Sequence, residues 1–177
     1  MISRVGIPSS KLSKPPETPR IKARVLIIEA RYYEKISDEL VAGATAELDA
    51  CGVTYQRVVV PGALEIPHVL ALSTEAGLIP RGAPSALFCG AIALGCVIRG
   101  ETSHYDVVVD NANHWLMEVA VRHHIPIGNG ILTVDTEAQA MARARGGREG
   151  KGGDAARAGL RRIELQRTVQ GRGACRA

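Results

Sequence analysis

Residues 85–106 read SALFCGAIALGCVIRGETSHYD, and the change of pattern inside this stretch decides the fold. The run from Pro84, just before it, to Leu94 is apolar and of strand length. The second part of the stretch, GCVIRGETSHYD, leads from that strand into a helix. Gly100 allows close backbone approach, and Thr102 and Ser103 are residue types that cap helix starts. The same alternation continues on either side. Upstream, RVLIIEA (24–30) is a short β-branched run with the character of a buried strand. Ile36, Leu40, Ala44 and Leu48 then recur every four residues as one face of a helix, which Gly52 ends. VTYQRVVVP (53–61) reads as a second strand, and LEIPHVLALSTEAG (64–77) as a helix with Pro67 in its first turn. Downstream, residues 104–124 read as a helix with Trp115, Leu116, Val119 and Ala120 on one side. PIGNGILT (126–133) is a fourth strand, and TEAQAMARA (136–144) and GDAARAGLRRIELQR (153–167) are helical, separated by Gly146, Gly147 and Gly150. Four strand–helix alternations imply an α/β fold: a four-stranded parallel sheet with helices on both faces and right-handed crossovers. Ligands of such sheets sit at the carboxyl ends of the strands.

Composition narrows the class. Of 177 residues, 46% are hydrophobic and 23% charged, which excludes wholesale disorder. No apolar run reaches the roughly 18 residues of a membrane span, and the N-terminus lacks the apolar region of a secretory signal. Cys51, Cys89, Cys96 and Cys175 are widely spaced with no Cys-x-x-Cys pair, so a disulfide scaffold or zinc ribbon is not expected and a cytoplasmic setting is. The net charge of +4 is uneven: residues 1–24 and 143–177 are basic, and the residues between them hold 6 basic and 14 acidic side chains. With aromatics at 3%, the basic ends read as solvated segments, so neither a nucleic-acid nor a membrane partner is expected. The expected organisation is an arm over residues 1–21, one domain over 22–168 and a basic tail over 169–177.

The residues that follow the strands form the candidate site. After the first strand come Tyr32 and Tyr33, after the second Gly62 and Glu65, after the third the Gly100–His104 loop, and within the fourth Asn129. Free N–H groups near Thr102 suit an anion such as phosphate, and also suit an ordinary helix cap. His104 is placed for acid–base work, or is a surface histidine. Glu65 either accepts hydrogen bonds from a ligand hydroxyl or favours a helix start. Tyr32 either stacks on a flat ring or packs. Arg143 and Lys151 each read as a phosphate clamp or as a solvated cation. No His, Cys or Asp cluster has metal-ligand spacing, so no metal is expected.

Four ordered motifs, VPGALEIP, GCVIRGETSHYDVV, GNGILTVDTEAQAMARA and KGGDAARAGL, closely resemble those of the lumazine synthase family over roughly residues 24–168. The resemblance implies a flavodoxin-like three-layer sandwich and a transferase of riboflavin biosynthesis without a metal or organic cofactor. It implies condensation of 5-amino-6-(D-ribitylamino)uracil with 3,4-dihydroxy-2-butanone 4-phosphate to 6,7-dimethyl-8-ribityllumazine, with loss of phosphate and water. By the same resemblance, His104 matches the proton-transferring histidine and Tyr32 the ring stacked on the pyrimidine. Ala63, Leu64 and Glu65 match the segment holding that substrate, and Cys96, Val97 and Ile98 a backbone strip along the uracil edge. Asn129 falls where the family also lines this site. Glu101 and Thr102 match the butanone phosphate site, Arg143 its arginine and Lys151 a second cation. Tyr32 stands where Phe or Trp is usual, Asn129 where many members carry an aromatic, and Asp110-Asn111 where Asn-Glu is expected. The family assembles as homopentamers with sites between subunits, and some members stack twelve pentamers into an icosahedral shell. A flavin mononucleotide carrier would need a Ser/Thr-rich loop after the first strand, where this chain has EARYYEK.

Overall fold

The computed structural model describes residues 21–79 and 86–171. The arm over residues 1–21 therefore lies outside the described residues apart from Ile21, and the tail lies outside them beyond Gly171. The elements run β1 (Arg24–Ala30), α1 (Glu34–Ala50), β2 (Thr54–Val60), α2 (Glu65–Glu75), β3 (Gly90–Ile98), α3 (His104–Arg122), β4 (Ile127–Val134), α4 (Glu137–Ala144) and α5 (Lys151–Val169), with a 3₁₀ turn at Gly147–Glu149. The sheet is all-parallel in the order β2-β1-β3-β4. It is the α/β three-layer sandwich that the alternation implies.

Strand alternation sorts the core into two layers. Val25 and Ile27 face α1, α4 and α5, where they meet Leu40, Ala44, Ala140, Ala156 and Leu160. Leu26, Ile28 and Ala30 face α2 and α3, where they meet Ile66, Leu70, Ala112 and Leu116. The four-residue face of α1 is buried as its spacing dictates, since Ile36, Leu40, Ala44 and Leu48 are all at most 1% exposed. That helix ends in a Schellman motif. Gly52, at φ 68°, donates to Asp49 O at 3.0 Å, and Val53 N donates to Leu48 O at 2.9 Å. The buried Glu47 carboxylate is held by Arg148 (2.8 Å) and Arg157 (3.0 Å), which ties the 3₁₀ turn and α5 to α1.

Two expectations need correction. The third strand is Gly90–Ile98, not the run from Pro84 to Leu94. An apolar run marks burial, whereas strand bounds follow pairing. Here β4 runs beside β3 as far as Ile98↔Val134, while Leu87, inside the apolar run, is 52% exposed. On α3, Trp115 does not share the buried face: it is 51% exposed. The seam is Ala112, Leu116 and Ala120 at four-residue spacing, and a neighbour one position away is turned by about 100°.

Candidate active site

The carboxyl ends of β1, β2 and β3 open onto one cavity of about 470 Å³. It gathers Tyr32 and Tyr33 from the turn after β1 and Pro61–Glu65 from the turn into α2. Cys96–Ile98 contribute from β3, as do Gly100, Thr102, His104, Tyr105 and Val108 from the start of α3. Right-handed crossovers bring these turns to the same edge of the sheet.

The cavity has a backbone wall because β1 is shorter than β4. The β1–β3 ladder stops at Glu29↔Leu94, whereas the β3–β4 ladder continues to Ile98↔Val134. Gly95–Ile98 therefore have no strand partner on the β1 side among the described residues, and that side faces the cavity. A planar ligand with amide-like edges can pair there as a further strand would. Tyr32 makes a T-shaped contact with Tyr33, ring centroids 4.9 Å apart, and at 73% exposure keeps ring surface available to stack. Burial and the neighbouring Tyr32 push the Tyr33 phenol above its ordinary value.

The start of α3 supplies the polar end. Thr102 Oγ1 accepts the His104 N–H at 3.4 Å, while Ser103, at the cap position, makes no side-chain cap bond. The N–H groups of Glu101, Thr102 and Ser103 donate to no partner among the described residues, which leaves them available to an anion. The His104 imidazole is exposed and likewise has no hydrogen-bond partner among the described residues to fix its protons. A Cβ added at Gly100 would meet nothing within 4 Å, so the glycine there leaves space at the cavity wall. Glu65 Oε2 accepts the Gly62 N–H at 2.9 Å, a bond that shapes the β2–α2 turn while the residue stays at the cavity.

Four expected residues stand elsewhere. Arg143 and Lys151 share a second cavity with Ile131–Thr133 of β4, Arg145, Glu149 and Asp154. Arg145 reaches Glu39 and Asp154 reaches Arg157, but neither Arg143 nor Lys151 has an acidic partner among the described residues. The three cations at this cavity outnumber its two lining acids, Glu149 and Asp154, which favours an anionic ligand. Glu101 is exposed and does not line the first cavity. Asn129 has a local role on the edge strand β4: its Oδ1 accepts the Ile131 N–H at 2.9 Å and its Nδ2 donates to Asn113 Oδ1 at 2.8 Å. The side chain thus satisfies a strand-edge donor. Tyr105 and Val108, on the first turns of α3, line the cavity without having been singled out from sequence; their spacing from His104 was the available signal.

Over residues 22–167 the chain matches the family described as 6,7-dimethyl-8-ribityllumazine synthase. The chain belongs to that family. It is 51% identical over 146 residues to the 6,7-dimethyl-8-ribityllumazine synthase of Methylorubrum populi, covering 82% of this chain and 84% of that protein. The protein of the same name from Nitrobacter hamburgensis is 49% identical over 147 residues, 83% of this chain and 88% of the relative. That of Methylobacterium radiotolerans is 49% identical over 158 residues, 89% of this chain and 91% of the relative. No helix among the described residues is long and apolar enough to cross a membrane.

One consequence concerns the thiol on the cavity wall. Burial pushes the thiols of Cys96 and Cys51 up to about 11, beside Glu47 in the case of Cys51. Thiolate is the reactive form, so both should resist alkylation at pH 8 and gain reactivity only as pH approaches 11. Mass-spectrometric mapping of iodoacetamide labelling against pH tests this; fast labelling of Cys96 at pH 7 would contradict it.

Proposed function

We propose that the protein condenses 5-amino-6-(D-ribitylamino)uracil with 3,4-dihydroxy-2-butanone 4-phosphate, giving 6,7-dimethyl-8-ribityllumazine, phosphate and water. The observation that carries this reading is the unpaired β3 strip Cys96–Ile98 facing Tyr32 across a cavity that ends at His104. The pyrimidine stacks on Tyr32 and pairs its uracil edge along Cys96–Ile98. Its ribityl chain extends towards Ala63, Leu64 and Glu65. Its amine attacks the ketone and loses water to form an imine. Phosphate is then eliminated, and ring closure with loss of a second water gives the lumazine. The nucleophile belongs to the substrate, so the protein's contribution is orientation together with proton transfer by His104.

The phosphate needs both the N–H groups of Glu101–Ser103 and a cationic clamp. One chain holds these in two separate cavities. We infer that they complete each other across a subunit boundary, with Arg143 and Lys151 of one copy, and Asn129 beside them on β4, facing the first cavity of the next. The family resemblance makes a homopentamer in the cytoplasm the expected unit, and sedimentation of the intact protein at five chain masses, or at sixty where pentamers stack into a shell, tests the assembly. Fluorescent lumazine formed above a protein-free control, and inhibited by added phosphate, tests the reaction. A background rate from a folded oligomer that binds riboflavin would instead mark a binding protein. Arg143→Ala is expected to raise the KM of the phosphate substrate about a hundredfold, the scale of a lost charge-assisted contact, and to leave the pyrimidine KM nearly unchanged. Equal effects on both constants would remove Arg143 from the phosphate site.

A further inference from the structure

Arg99 leaves the end of β3 between the two halves just described. Its Nη1 donates to Asp106 Oδ1 at 3.2 Å and its Nε to Asp135 Oδ1 at 3.2 Å. The guanidinium carbon stands 4.0 Å from the centroid of the Tyr105 ring. Asp106 lies in the first turn of α3, which begins at His104. Asp135 lies at the corner between β4 and α4. Its own N–H donates to Gln139 Oε1 at 2.9 Å, and the Gln139 N–H is capped by Thr136 Oγ1 at 3.2 Å. Gln139 O accepts Arg143 Nη1 at 3.4 Å. One guanidinium thus joins, by an unbroken series of contacts, the turn that carries His104 to the helix that carries Arg143.

A single exposed ion pair contributes little to stability. Arg99 differs in serving two carboxylates and an aromatic face at once, with a planar fork that fixes direction. Its consequence is geometric. Reaction rates fall steeply when reacting groups are misplaced by a single ångström.

We propose that Arg99 is a positioning residue, which orients both the His104-bearing start of α3 and the Arg143-bearing helix α4. The kinetic part of this inference rests on the condensation proposed above. Arg99 lines neither cavity, so its effect reaches the chemistry through Asp106 and Asp135. Each arm can be cut separately: Asp106→Asn weakens the tie to α3, and Asp135→Asn the tie to α4.

The test compares Arg99→Gln, Arg99→Lys, Asp106→Asn and Asp135→Asn in the full chain, by steady-state kinetics and by amide hydrogen exchange without substrate. Arg99→Gln is expected to lower kcat and raise the phosphate-substrate KM, each about tenfold or more, with the pyrimidine KM within about twofold of wild type. Asp106→Asn should reproduce only the loss in kcat, and Asp135→Asn only the rise in KM. Arg99→Lys should recover one effect but not both, because an ammonium cannot reproduce the fork. Exchange should quicken in both α3 and α4 in Arg99→Gln, and in α4 alone in Asp135→Asn. Wild-type exchange in both helices of Arg99→Gln, or the same uniform loss in every constant for all four variants, overturns the proposal. Exchange is read without substrate, so it decides the positioning claim even where the wild-type protein forms no lumazine and the functional reading fails.

Discussion

His104→Ala is expected to slow turnover roughly tenfold to a thousandfold, the range of a positioned acid–base group, while both KM values stay close to wild type. The split follows from where the imidazole sits. It lines the cavity beside Tyr105, and none of its ring atoms is tied to another side chain among the described residues. The groups proposed to bind the pyrimidine, namely Tyr32, Ala63–Glu65 and the Cys96–Ile98 strip, belong to other turns and stay in place when the ring is removed. The lower part of the range is accessible because the substrate amine is itself the nucleophile and the two bound substrates remain oriented. Full truncation also leaves the cap intact, since Thr102 Oγ1 bonds the backbone N–H of residue 104 and not its side chain. Single-turnover lumazine fluorescence at saturating substrates checks the prediction. An unchanged rate would take His104 out of the mechanism.

The layering of the fold could be read from sequence because burial writes itself into apolar spacing. The four-residue period of α1 and the β-branched run of β1 coincide with the observed elements. What spacing does not contain is pairing, so the apolar run starts β3 several residues too early and leaves its last four residues to the loop. The same blindness explains the site. Tyr32, Glu65 and His104 are polar residues at element ends and can be nominated one at a time. Cys96, Val97 and Ile98 are apolar or weakly polar, and what they offer is backbone left free where β1 stops. Only the family resemblance pointed to them. Arg143 and Lys151 look like any cations near helix ends until they are seen to share a cavity in which neither is paired with an acid. Asn129, nominated for the substrate, is engaged with Asn113 and Ile131, contacts no local pattern announces. Arg99 carries no local signal for the same reason: its partner Asp135 is 36 positions away.

Gly128→Ala is expected to destabilise the protein by about 3 kcal/mol or more, at the upper end of the cost of overpacking. A Cβ at this position would stand 1.9 Å from Ala155 O and 2.8 Å from Ala155 C, both backbone atoms of α5, and 3.1 Å from Ile92 Cδ1. A side chain could rotate away, but a helix backbone must move as a body. The room for that movement is closed on the far side of α5 as well. A Cβ at Gly152 would meet Leu40 O of α1 at 1.9 Å there, while one at Gly159, on the sheet-facing side, would meet Ile92 Cδ1 at 2.6 Å and Gly128 N at 3.2 Å. The helix is therefore clamped between β4 and α1 by contacts that only glycine permits. The expected loss in melting temperature is about 6–12 °C for a chain of this length. Gly100→Ala serves as the control. Its added methyl meets nothing within 4 Å, so its stability should stay within about 0.5 kcal/mol of wild type. Denaturation of both variants at one protein concentration makes the comparison, and equal midpoints would show that α5 can shift away from β4. Lys151 is the first residue of α5, so a displaced α5 would also carry this cation away from Arg143. A partly folded Gly128→Ala protein should accordingly lose inhibition by phosphate before it loses binding of the pyrimidine.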